Sequence, residues 1–135
     1  MGEVPLGLIL SWKSFVSEEE FEAYVKQTAA WQYYKDYDPN AVLNSMKEVL
    51  NLVHIFFPTE SEWTKADPLK LAALELGSIR HLYVAIGFYD KFASYESNEK
   101  FVSILKSQGH QVEWRPQWGG HCAMDIPSLA QFLID

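Results

Sequence analysis

Cysteine is almost missing from this chain. Cys122 is the only one in 135 residues, so no intrachain disulfide can form. Long apolar runs are also missing, and none approaches the length of a membrane span. No cluster of Lys and Arg offsets the formal net charge of −7, so the chain repels phosphate backbones and anionic membrane surfaces. These shortages argue against nucleic acid and membrane as partners. The first residues, Met1-Gly2-Glu3-Val4, carry neither the basic region nor the apolar stretch of a secretory signal. The expectation is a soluble, cytoplasmic chain, or a piece of a longer protein whose address lies elsewhere. No internal repeat and no low-complexity segment is visible.

What is present is material for a core. The chain is 48% hydrophobic and 15% aromatic, which argues against wholesale disorder. The apolar run at 4–10 predicts a buried strand. Ser17 and Glu20 form a capping box ahead of a helix. Asp38-Pro39 opens a second helix, with Val42, Leu43, Met46, Val49, Leu50 and Val53 as its apolar stripe. The polar stretch 58–66 reads as a loop. Asp67-Pro68 starts a short helix that Gly77 stops. A second buried strand is expected over 81–88. A helix capped by Ser97 or Asn98 and ended by Gly109 follows, then a third strand over 110–115. Asp125-Ile126-Pro127 opens the last helix. Strands alternating with helices predict an α/β fold with a parallel sheet. Three strands are few for such a sheet, which normally has both faces covered, so its continuation by other chain is expected.

Ligands of open α/β sheets sit at the carboxyl ends of the strands. Asp90 follows one expected strand in Gly87-Phe88-Tyr89-Asp90. His121 follows another in Gly119-Gly120-His121, 31 residues later. A carboxylate beside an imidazole fixes its tautomer and stabilises the imidazolium formed in acyl transfer. Each alone is an ordinary turn residue; together, in this order, they are the candidate acid and base. Glu96 and Asp125 are the next candidates for the acid. Cys122 lacks a second histidine placed to activate it. His54, His81, His110 and His121 show no metal-ligand spacing, and no cofactor is expected. His54 and His81 read as structural.

The stretch 67–135 resembles the C-terminal part of an α/β-hydrolase, closest to the esterase-D-like and feruloyl-esterase-like members. The shared pattern is a short helix, a strand running into Gly-x-x-Asp, a helix ending in glycine, a strand and a Gly-His loop. The resemblance implies Asp90 as catalytic acid and His121 as catalytic base, in the family order Ser, Asp, His. It implies a three-layer parallel sheet, one partial domain over 1–135, with 12–66 as a helical lid-like insertion and 67–135 bearing the acid and base. The aromatics of the lid, Trp12 and Trp31 among them, pack helices or line an apolar pocket. Trp12 and Trp118, the latter just ahead of Gly119-Gly120-His121, are the substrate-binding candidates.

The family also needs Gly-x-Ser-x-Gly, and no serine here has that surround. Ser78 follows Gly77, but Ile79 and Arg80 come next. The leading expectation is therefore the acid–base half of a serine hydrolase acting on a small carboxylic ester. Its nucleophile would come from an upstream segment or another chain. The alternative is a non-catalytic module that binds a small molecule or partner on the same architecture. A third is a partial chain that pairs with its missing half, or with itself, through an exposed strand edge.

Overall fold

A computed structural model describes residues 18–74 and 81–134 of the chain. Seven helices and two strands make up these residues. The helices are α1 (Glu18–Val25), α2 (Ala29–Tyr34), α3 (Ala41–Phe56), α4 (Glu60–Ala66) and α5 (Pro68–Ala72). Strand β1 (His81–Gly87), α6 (Tyr95–Ser107), β2 (Gln111–Gln117) and α7 (Ile126–Ile134) follow. No helix among the described residues is long and apolar enough to cross a membrane.

The expected three-layer parallel sheet of an α/β fold is not what the described residues form. The described residues are mostly helical, with a single two-stranded parallel sheet in which His81 pairs with Gln111 and Gly87 with Gln117. The strand expected at 4–10 lies outside the described residues. The physical reason for the correction is burial. A parallel sheet in a layered α/β protein is covered on both faces. Here the side chains of both strands are half-buried or exposed, from Leu82 to Ile86 and from Val112 to Gln117. Pro116 fits this, because proline donates no ladder hydrogen bond and belongs in edge strands.

The core is instead helix on helix. Phe21 and Val25 of α1, Ala30 of α2, and Val42, Leu43 and Met46 of α3 form one buried cluster, joined by Ala93. The stripe read along α3 accounts for it: Val42, Leu43, Met46 and Val53 are buried, and Val49 and Leu50 half-buried. The segment 58–66 is not a loop. Thr59 and Glu62 form a reciprocal capping box that starts α4, and Trp63 is buried beneath it. Thr28 breaks the first helix and caps α2 by accepting from Trp31 N–H. Helix α6 begins at Tyr95 rather than after Ser97, which is buried. Gly109 ends that segment at φ +86°, and His110 N–H donates back to Leu105 C=O at 3.1 Å.

A helical core and a half-covered sheet predict unequal costs of truncation. Met46→Ala should cost about 2–5 kcal/mol, the range for a large buried side chain. Val84→Ala in β1 should cost about 1 kcal/mol, since part of its surface already faces water. Urea titration of both variants checks the order; a larger loss at Val84 would place the core in the sheet.

Candidate active site

The two loops that leave the sheet at its carboxyl end run on together. Phe88 N–H donates to Gln117 C=O at 2.8 Å, and Tyr89 N–H to Gly119 C=O at 2.9 Å. The parallel ladder therefore continues past the strand ends. It brings the residues after Gly87 beside Gly119 and Gly120. Gly87 permits the approach: a Cβ there would fall 2.0 Å from the Gly120 carbonyl oxygen.

Asp90 and His121 meet across this junction. Asp90 Oδ2 lies 2.8 Å from His121 Nδ1. The other carboxylate oxygen, Oδ1, accepts from Phe92 N–H at 2.8 Å. Both oxygens are thus held, and the carboxylate is only 2% exposed. Phe92 also sets its ring edge-on to the imidazole, with centroids 4.7 Å apart. A carboxylate only accepts, so its imidazole neighbour donates from Nδ1, and in the neutral ring the lone pair is then on Nε2. Nε2 makes no hydrogen bond among the described residues, and the side chain is 48% exposed. A shielded acid, a fixed tautomer and an open second nitrogen form the geometry of a general base.

The backbone around the pair is under tension on both sides. Ala93, whose N–H closes the turn on Asp90 C=O, has φ +52°. Cys122, directly after His121, has φ +64°. Left-handed conformations cost a non-glycine residue roughly 1–2 kcal/mol each. Cys122 is exposed.

Trp118 is 80% exposed and stacks on Tyr89, with centroids 5.3 Å apart. With Phe88, Tyr95, Pro116 and Gln117 it lines an open cavity of about 290 Å³ at the same end of the sheet. Trp12 lies outside the described residues. Phe88, Tyr89 and Tyr95 were not singled out from sequence, although the first two stand inside the Gly-Phe-Tyr-Asp motif itself. The alternative acids are engaged elsewhere. Asp125 caps α7 through Ser128 N–H and hydroxyl, which hold its carboxyl below the usual range. Glu96 Oε1 accepts from Ala29 N–H at 2.7 Å, tying α6 to the start of α2. Its Oε2 is buried without a partner, as is the Tyr24 hydroxyl. Among the described residues, no three His, Cys, Asp or Glu side chains gather to hold a metal ion. His81 packs edge-on against Phe132.

Searches against protein-family models, curated proteins and solved structures find no match to this chain.

Two outcomes follow from this geometry. Gly87→Ala should push the Gly119–Gly120 loop outward and separate His121 from Asp90. The downfield Nδ1 proton signal should disappear while the helical circular dichroism persists; an unchanged signal would contradict the close approach. Burial raises the Glu96 carboxyl above its usual 4.5. Its folded form therefore holds the proton more tightly than its unfolded form. That contribution to stability is present at low pH and is lost as pH rises from about 4.5 through the raised value. Glu96→Gln keeps the acceptor for Ala29 N–H and should flatten this fall, as read from urea midpoints across the acid range.

Proposed function

We propose that the chain carries the acid–base half of a serine-type carboxylic ester hydrolase. Its resemblance to α/β-hydrolases of the esterase type is proposed as kinship of the segment bearing the acid and base. The observation that carries the reading is the contact of buried Asp90 with His121 Nδ1 at 2.8 Å, beside an unengaged Nε2. In the proposed cycle a serine hydroxyl attacks the ester carbonyl. His121 Nε2 takes its proton and returns it to the departing alcohol, while Asp90 holds the imidazole and stabilises its cationic form. The cavity beside Trp118 takes the apolar part of the ester.

The serine comes from outside these 135 residues, since none here stands in Gly-x-Ser-x-Gly. The partner that brings it is proposed to be a nucleophile-bearing segment or a second copy, docking on the open sheet edge. Ile126, Leu133 and Ile134 are 62%, 74% and 79% exposed and offer apolar surface on α7, the helix whose Phe132 packs against His81 and Tyr83 of β1. A second reading, a non-catalytic binding module, draws on the same missing serine and on the exposed Trp118. It gives no role to the imidazole's free nitrogen.

The test is ester hydrolysis by the chain supplied with its nucleophile segment. His121→Ala should remove most turnover of p-nitrophenyl butyrate. Asp90→Asn should lower it steeply, since the wrong tautomer is then favoured; the same change in a serine protease triad costs about 10⁴. Both variants should fold. Near-normal turnover of Asp90→Asn would remove Asp90 as the acid.

A further inference from the structure

Helix α2 reaches over the loop that carries His121. Tyr33 stacks on Tyr89, with centroids 4.3 Å apart and planes 17° from parallel. Tyr89 in turn is bonded to Gly119 through its N–H. Glu96 holds the other end of α2 through Ala29 N–H. Pinned at both ends, α2 presents Tyr34 between the helical core and the candidate site. The Tyr34 ring is half-buried against the core cluster, where Phe92 also packs. Its hydroxyl stands over Gly120, the residue before His121: a Cβ on that glycine would lie 3.3 Å from Tyr34 Oη.

No hydrogen bond among the described residues engages this hydroxyl. Burial, then the neighbouring Tyr33 and the charge of Asp90, push its pKa upward. The phenol therefore keeps its proton at neutral pH and can only donate it into a hydrogen bond or accept one.

We propose that Tyr34 is a further catalytic residue of this site, donating a hydrogen bond from its hydroxyl to a carboxyl oxygen of an ester or carboxylate product lying against His121. The assignment rests on the ester-hydrolase reading and deepens it. Negative charge grows on the carbonyl oxygen as an alkoxide adds, and a fixed neutral donor stabilises that oxygen more than the starting ester. Tyr34 differs from Asp90 and His121 in belonging to the helical part of the chain. The helices thereby contribute chemistry to a site otherwise built by the two loops.

Butyrate, a simple carboxylate product, is the probe, and the chain itself suffices. Additions of butyrate should shift the His121 imidazole signals saturably. Tyr34→Phe should weaken butyrate binding about tenfold or more, the worth of one hydrogen bond to a charged group. Its imidazole signals without butyrate should match those of the parent, which shows that the fold and the Asp90 contact persist. His121→Ala should abolish binding. Equal butyrate affinity in parent and Tyr34→Phe overturns the role of Tyr34. If His121→Ala still loses binding in that case, the site stands and only the tyrosine falls. If His121→Ala also binds as tightly, the ester reading falls with it. A parent chain that does not bind butyrate overturns the proposal.

Discussion

The junction of the two loops depends on one constraint, the absence of a side chain at Gly87. The ladder between β1 and β2 could stop where the strands stop. It continues because the Gly119–Gly120 backbone can come within a distance that any Cβ would forbid. Two further parallel hydrogen bonds follow from that approach, at Phe88 and Tyr89. They set the register of the loops, and the register sets Asp90 opposite His121. The pair is thus a product of backbone geometry before it is a product of charge. An ion pair between freely exposed side chains would be worth little and would wander. Here the acid is buried and its second oxygen is held by Phe92 N–H, so the imidazole has one partner in one orientation.

Two connections between the helical core cluster and the rest of the chain matter for the site. Ala93 belongs to the core cluster while closing the turn that begins at Asp90. Phe92 packs on the same cluster and supplies both a hydrogen bond to Asp90 and a wall for His121. The turn 90–93 is therefore the link through which core packing fixes the acid. Glu96 makes a second link, from α6 to α2. Its unpartnered oxygen and the unpartnered Tyr24 hydroxyl show that this link is held at a cost in desolvation.

The meeting of Asp90 and His121 was legible in the sequence, and less of the fold. Asp90 and His121 could be found because each follows a β-rich run and a glycine at a strand's carboxyl end. Both strands stand close to where short apolar runs and turn residues put them. The apolar stripe of α3 was legible for a similar reason, since its period matches one helix face. The sheet's extent is not legible, because a run such as 81–88 is equally apolar whether both its faces are covered or only partly so. Periodicity reports apolar content, not what lies against it. Helix α4 carries little sequence signal: Trp63 is its only large apolar residue, and the polar residues of its capping box, Thr59 and Glu62, look like those of a loop. The Tyr34 hydroxyl had no sequence signal at all: its place follows from Tyr33 stacking on Tyr89, a contact between segments far apart in the chain.

The left-handed residues beside the pair add a separate physical argument. Glycine is the residue that takes positive φ without steric cost, as this chain does at Gly109. At 93 and 122 it carries alanine and cysteine instead. Each conformation persists only because its surroundings over-determine it. For Ala93 the surroundings are the core, where its methyl is buried and a glycine would leave a hole. Cys122 is exposed, so packing does not explain it. What does constrain it is the chain path: Gly120 must lie against Gly87, and Ala123 N–H donates back to Gly120 C=O. Between those two points the backbone has to reverse while His121 keeps its ring on Asp90. The strain at 122 is thus the local cost of holding an imidazole in one place with its far nitrogen open to solvent.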